Sequence, residues 1–455
     1  MKLTYQELIE ECLIFYETKM RKRQTFAFLE EYEANQWKSP GELREIQWIR
    51  LKALLEHAYK NVPYYHEQLK SRKLTPGDIR SREDLYKLPP LTKQNIRDHY
   101  SALISSTVNR SELYKSWSGG STGEPIQFEF GRQAYERRMA AQYRSNAWVG
   151  CNIGDKELHL WGIPSPAGRL EDLKERVRQA LLRRKFINCY KFSRERLPQI
   201  FMAFNRYRPK ILVGYASALH AFSAFVQKQT LTPYHPQSII STAEMLYPEQ
   251  KELIEQVLKV PVYNRYGSRE VMLIAAECSL RNGLHINYDN IVVEVLKNGE
   301  PAGEGNLGEI FVTDLNNYEM PMIRYQIGDT GIATQRLCNC GRGLPLLDQV
   351  TGRTYDLIIA SDGNFLPGIA FNSIIRKYQE IQQYQVIQES LELIRILLVQ
   401  KAPLSASRVR LLENDLKKTV LGNTTLQFEF TDEIPLEKSG KRRITISKVM
   451  PSITI

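Results

Sequence analysis

Ser118-Gly119-Gly120-Ser121-Thr122-Gly123-Glu124-Pro125 is the stretch on which the reading of this chain turns. Glycines interleaved with hydroxyl residues let the backbone fold tightly and turn its N–H groups toward an anion. The hydroxyls of Ser118, Ser121 and Thr122 add donors for phosphate oxygens. A Walker loop closes on Gly-Lys-Ser/Thr, whereas here Thr122-Gly123 runs into Glu124-Pro125, so a P-loop ATPase is a poor match. A Gly/Ser turn that binds nothing satisfies the same residues, and the loop alone does not choose between the two.

Other segments of the chain do. Tyr266-Gly267-Ser268-Arg269-Glu270 comes next, then Arg324-Tyr325-Gln326-Ile327-Gly328-Asp329. Gly352-Arg353-Thr354-Tyr355-Asp356 and Lys438-Ser439-Gly440-Lys441-Arg442-Arg443 follow. In this order the segments resemble the signature motifs of the adenylate-forming ligases, the acyl-CoA synthetase superfamily, over residues 85–445. Three further stretches narrow the resemblance to the phenylacetate-CoA ligase branch and its CapK-like relatives in capsular polysaccharide biosynthesis. These are Glu277-Cys278 through Gly283-Leu284-His285-Ile286, Met320-Pro321-Met322-Ile323-Arg324-Tyr325, and Cys338-Asn339-Cys340-Gly341-Arg342.

The resemblance implies an ATP-dependent carboxylate ligase that forms an acyl-AMP and passes the acyl group on. Coenzyme A is the default acceptor, and an amine or amino sugar is the alternative. The loop Ser118, Gly119, Gly120, Ser121, Thr122 and Gly123 would wrap the ATP phosphates. Glu270 would hold Mg²⁺, a hard cation that favours carboxylate oxygen. Tyr266, with Gly267, Ser268 and Arg269 beside it, would stack on adenine, and Ser241, Thr242, Ala243 and Glu244 would form the facing wall. Asp329 would accept from the ribose hydroxyls, Arg353 would reach ribose and phosphate, and Lys441 would swing in as the catalytic cation. Trp161-Gly162-Ile163-Pro164 and Gly214-Tyr215-Ala216-Ser217 fall where the family places the walls of the carboxylate site, although such aromatics serve equally as core. Two departures stand out: Arg269 replaces the usual Thr or Ser before the metal-binding glutamate, and Tyr355 replaces the usual hinge Asp or Lys. They keep open a degenerate nucleotide-binding protein without ligase activity.

Cys278, His285, Cys338 and Cys340 form a separate constellation. Thiolates and an imidazole are good Zn²⁺ ligands, and a closed Cys₃His set is structural. Members of the phenylacetate-CoA ligase branch that bind zinc look similar here. The competing reading is four unrelated residues with Cys278 in a buried helix. Cys12, Cys151 and Cys189 have no metal-like neighbours in sequence and are expected in the core.

Composition bounds the rest. A chain of 455 residues exceeds one ordinary core, and 42% hydrophobic residues mark a folded protein. Six cysteines and no signal-peptide pattern argue against a disulfide scaffold and for a reducing, cytoplasmic setting. No apolar run reaches membrane-span length. The net charge of +11 suits polyanionic substrates such as ATP and coenzyme A; without a zinc-finger, RNP or helix-turn-helix signature it does not make a nucleic-acid binder. A homodimer is left open.

Residues 1–85 read as a mainly helical lead-in, with Leu43, Ile46 and Ile49 stepping by three before Leu51, Leu54, Leu55 and Ala58. Strand-like segments at 157–161, 211–214, 238–241 and 260–263 alternate with helical ones such as 248–258 up to about residue 350. That alternation predicts a layered α/β fold. Beyond it, strand-like 391–399, helix-like 406–420 and strand-like 425–430 predict a small α+β domain. The expected organisation is an N-terminal adenylation domain over 1–352 and a mobile C-terminal domain over 353–455 carrying Lys441.

Overall fold

In the computed structural model the described residues are 5–118, 126–162, 176, 179–189, 196–297, 299–350, 357–359, 365–367, 371, 374–375, 377–420, 424–434 and 445–449. The chain forms two compact units, each drawn from separate segments. The first unit comprises Met1–Ser118, Ile126–Ile153 and Tyr263–Gly352; the second comprises Gly119–Pro125, Gly154–Val262 and Arg353–Ile455. None of the described helices is long and apolar enough to cross a membrane.

The first unit packs helices against antiparallel strands. Helix Pro40–Asn61 starts at a capping box, in which the Ser39 hydroxyl accepts from the Glu42 N–H and the Glu42 carboxylate accepts from the Ser39 N–H. Its buried stripe is Leu43, Gln47, Leu51, Leu54, Leu55 and Ala58. The expected step of three fails here, because two such steps drift about 120° around a helix. Ile49 is therefore 59% exposed. Gln47 takes the inward position and donates to the carbonyls of Tyr288 and Ile291 at 2.9 and 3.0 Å. Cys12 likewise departs from expectation: it is exposed, about 100° around its helix from buried Leu13, whereas Cys151 and Cys189 are buried.

Strands Ile291–Lys297, Leu307–Asp314, Tyr325–Thr334, Leu346–Val350, Leu284–Ile286, Met272–Glu277 and Val262–Ser268 follow one another across the sheet of this unit. Helix Arg132–Ala147 is bolted to it by buried ion pairs. Arg138 reaches Asp314 at 2.6 Å, and Arg144 grips both oxygens of Asp289 at 2.9 Å. A separate hairpin, Tyr114–Trp117 with Gln127–Phe130, pairs Tyr114 with Phe130 and Trp117 with Gln127.

The second unit has a parallel sheet in the order Ser238–Thr242, Ile211–Tyr215, Glu157–Trp161, Arg184–Asn188. Glu157–Trp161, Ile211–Tyr215 and Ser238–Thr242 match expected segments, as does helix Pro248–Leu258. Arg184–Asn188 is a strand not expected from the sequence, and the expected 260–263 leads into Val262–Ser268 of the first unit. Helices Leu197–Tyr207 and Ala216–Lys228 supply the rest of an apolar core that includes Leu158, Phe204, Leu212, Phe222 and Ile239. Toward the C-terminus, Thr425–Phe430, Leu393–Gln400, Ile381–Gln388 and Thr445–Ser447 make a second sheet, antiparallel at its centre and parallel at both edges. Helix Ala406–Val420 packs Leu412 and Leu416 into the core of that sheet. This is the α+β pattern read from residues 391–430.

Glu157, at the start of its strand, is buried between Arg184 at 3.0 Å and His159 at 2.8 Å. Burial pushes its carboxyl up, but the Arg184 and His159 charges and hydrogen bonds outweigh that and hold it at about 2, against an ordinary 4.5. A depressed carboxyl stabilises the fold above its unfolded value and loses that contribution as pH falls through the folded one. Acid unfolding followed by circular dichroism should therefore show a loss on the order of 3 kcal/mol between pH 4.5 and 2. Glu157→Gln should flatten that slope; an unchanged slope would rule out this pair as its source.

Candidate active site

Three segments of the second unit gather at the C-terminal ends of its parallel strands, where ligand sites of open α/β sheets form. Trp161-Gly162 ends one strand, Tyr215 leads from the next into helix Ala216–Lys228, and Ser241-Thr242 ends the third before Ala243-Glu244. The rings of Trp161 and Tyr215 lie 4.7 Å apart at 40°, and the Gly162 N–H donates to the Tyr215 hydroxyl at 3.4 Å. Ser241 and Thr242 are buried. Glu244 turns its carboxyl away from the loop and accepts from the Ser217 N–H at 2.8 Å. Burial pushes that carboxyl up to about 7, against the pull of the hydrogen bonds from Ser217.

The first unit organises the Tyr266–Glu270 motif. Gly267 lies at a bulge between strands Val262–Ser268 and Met272–Glu277. A Cβ there would stand 2.2 Å from the Met272 carbonyl oxygen, so no larger residue fits without moving backbone. The bulge bends the strand and re-aims the side chains beside it. Tyr266 donates its hydroxyl to Asp329 at 3.0 Å, and Gly328 supplies the left-handed backbone (φ +88°) that precedes that aspartate. Glu270 is buried in the tight turn after the strand and accepts from the Tyr325 hydroxyl at 3.0 Å. Tyr325–Thr334 stands four places from Val262–Ser268 in strand order. Flat spacing would separate them by about 19 Å, so these two bonds require a strongly curled sheet. Arg269 is exposed, and the Ser268 hydroxyl accepts from the Val271 N–H at 3.4 Å.

Ser118 is buried beside the phosphate-loop sequence. Its hydroxyl accepts from the Ile126 N–H at 2.9 Å while its own N–H donates to the Ile126 carbonyl at 2.9 Å. The hydroxyl read as a phosphate donor thus serves to close the neck of the loop. Gly119, Gly120, Ser121, Thr122, Gly123, Arg353, Tyr355, Lys441 and Ile163-Pro164 lie outside the described residues.

Cys278, His285, Cys338 and Cys340 come together in the first unit, their ligand atoms all within 4.8 Å of one another. Cys278 follows a strand and is not in a helix. Its sulfur is 3.8 Å from that of Cys338, and the Cys340 sulfur is 3.4 Å from His285 Nε2. A tetrahedral Zn²⁺ with normal bond lengths sets its sulfurs about 3.8 Å apart and a sulfur and nitrogen about 3.6 Å apart, so the donors fit such an ion in kind and spacing. His285 Nδ1 faces the Leu344 carbonyl at 3.4 Å, leaving Nε2 for the cluster. Without a cation, burial pushes the Cys278 thiol up to about 12 and the His285 imidazole down to about 4. Sequence reasoning passed over the supporting residues. Trp148 packs its ring edge-on against His285 with centroids 5.4 Å apart. Gln36 accepts from Trp148 Nε1 at 2.7 Å and Arg342 Nε at 2.9 Å. Tyr325 and Ser217 stood in quoted motifs but without these bonding roles, whereas nothing in the sequence marks Trp148 or Gln36.

Residues 358–448 match the family model of the CapK C-terminal domain. Protein CapK of Staphylococcus aureus is 24% identical over 439 residues, covering 94% of each chain. The phenylacetate-coenzyme A ligase of Thermus thermophilus is 26% identical over 352 residues, 76% of this chain and 78% of its own. Among solved structures, a 2-hydroxyisobutyryl-CoA ligase in complex with 2-HIB-AMP and CoA superposes with TM-score 0.63 at 19% identity, covering 91% of this chain and 92% of that one. The mixed α/β fold is that of the adenylate-forming CoA ligases.

Proposed function

We infer that this chain, related along most of its length to CapK and phenylacetate-coenzyme A ligases and sharing the fold of the AMP-forming acyl-CoA ligases, is an AMP-forming carboxylate ligase. A substrate carboxylate oxygen attacks the α-phosphorus of ATP and pyrophosphate leaves; the coenzyme A sulfur, having lost its proton, then attacks the acyl carbonyl carbon of the acyl-AMP, and AMP leaves as the thioester forms. The observation that carries this reading is the fixed pair of bonds Tyr266–Asp329 and Glu270–Tyr325, which hold the expected adenine, ribose and metal residues in one unit. Tyr266 offers its ring to adenine, Asp329 accepts from the ribose, and Glu270 holds Mg²⁺. Mg²⁺ supplies charge neutralisation of the phosphates when bound. The exposed Arg269 contributes a phosphate contact in place of the missing hydroxyl. The loop from Ser118 to Gly123 cradles phosphate, and residues 353–455 act as a mobile domain that delivers Lys441.

A second reading of the acceptor, an amine or amino sugar in polysaccharide biosynthesis, is favoured by the likeness of residues 358–448 to the CapK C-terminal domain. Pyrophosphate release over a panel of carboxylic acids, with coenzyme A and amino sugars supplied in turn, decides between the acceptors. In the active pairing, Glu270→Ala should lower pyrophosphate release about a hundredfold with folding intact; near-normal release at limiting Mg²⁺ would remove Glu270 from the metal site.

Lys441→Ala should slow acyl-AMP formation by a similar factor, yet a supplied acyl-AMP should react at a near-normal rate, because the lysine has swung away for the second step. Equal damage to both half-reactions would make Lys441 a general support of the fold or of binding.

The Cys278, His285, Cys338 and Cys340 cluster holds one structural Zn²⁺ in this reading. Elemental analysis of protein purified without added metal should find about one zinc per chain, lost when Cys338 and Cys340 are both changed to Ser. Chelation should lower thermal stability before it lowers the initial rate, since a closed site leaves no open coordination position.

A further inference from the structure

Helix Ala216–Lys228 begins without a cap of its own. Its N-cap residue is Tyr215, whose side chain makes no capping bond. The Tyr215 ring is committed elsewhere, buried against Trp161 with its hydroxyl on the Gly162 N–H. The first-turn N–H groups of a helix need acceptors, and an anionic one is favoured by the helix dipole. Glu244, from a different strand end, reaches across and accepts from Ser217, the second residue of the helix, at 2.8 Å.

That reach shapes the loop it comes from. Ala243 has φ +67°, a left-handed backbone that side chains other than glycine rarely adopt. Such a conformation persists only where the surroundings hold it, and the next residue makes the bond to Ser217. Cys189 is a titratable neighbour that feels the Glu244 charge, and its thiol is itself pushed up, first by burial and then by Glu244.

We propose that Glu244 is a positioning residue. Its carboxyl caps helix Ala216–Lys228 and thereby fixes Ser241–Ala243 in the shape that faces the nucleotide. The cap also ties this wall to the Tyr215–Ser217 turn expected beside the carboxylate. The proposal rests on the ligase reading, in which Ser241–Glu244 lines the adenine site. Its consequence is that nucleotide binding at one wall is felt at the other through one hydrogen bond.

Hydrogen–deuterium exchange on the full-length protein, with and without MgATP, reads this directly. In the wild type MgATP should slow exchange both in a peptide covering 241–246 and in one covering 214–219. Glu244→Leu should lose the second protection and weaken MgATP binding about tenfold, the size of a lost helix cap. Glu244→Gln keeps an acceptor oxygen and should retain both effects within about threefold. Adding Ala243→Gly to Glu244→Leu should recover part of the affinity, because glycine holds φ > 0 without the cap. MgATP protection confined to 241–246 in the wild type, or full affinity and protection in Glu244→Leu, would overturn the role of Glu244 alone. Failure of the wild type to bind MgATP at all would overturn the ligase reading and this inference with it.

Discussion

Two buried arginines of helix Arg132–Ala147 fix the framework of the first unit. Arg144 holds Asp289 through two parallel bonds and also donates to Asn287 and to the Tyr32 carbonyl, while Arg138 holds Asp314. Taking such charges out of water costs several kcal/mol per ion and is offset only by close geometry and further hydrogen bonds. Removing one partner of a buried pair typically costs about 3–5 kcal/mol, so helix and strands are committed to one relative placement. Trp148, the C-cap of the same helix, then falls against His285, and its indole N–H reaches Gln36. The cysteine–histidine cluster thus sits on a platform set by ion pairs elsewhere along one helix.

Curvature of the sheet carries the same constraint toward the chemistry. Tyr266 and Glu270 come from one end of the strand order, and Asp329 and Tyr325 from a strand four places away. Their hydrogen bonds form only because the sheet curls strongly, aided by a bulge at Gly267 that admits no side chain. A glycine that looks like mere flexibility in the motif is a steric requirement of the fold. The second unit obeys a simpler rule, with its candidate residues at the carboxyl ends of parallel strands as open α/β sheets dictate.

Hydroxyl and carboxyl groups that look like ligand contacts in sequence have structural work as well. Ser118 closes the neck of a loop with its hydroxyl, and Glu244 caps a helix whose N-cap tyrosine is occupied in the aromatic wall. The cause is common to both. Backbone N–H groups at turns and helix starts need acceptors wherever water is excluded. A motif residue can meet that need and still define the shape of a binding surface.

The order of the motifs carried the resemblance to the adenylate-forming ligases, and with it the ligase reading, because the same residue types recur in that order along chains of that family. Strands 157–161 and 238–242 and helices 248–258 and 406–420 were legible from alternation and helical period, since burial on one face imposes both. The cysteine and histidine set was legible as well, because thiolate and imidazole are uncommon enough to be noticed across about sixty residues. Tertiary structure alone decided the partners of these residues. Gln47 displaced an isoleucine from the buried stripe because two carbonyls across the unit needed a donor. Arg144 with Asp289, Trp148 with His285 and Glu244 with Ser217 are distant in sequence and carry no periodic signal. Their pairing is fixed by where the packed elements bring backbone and charge out of water, a quantity no local window of residues contains.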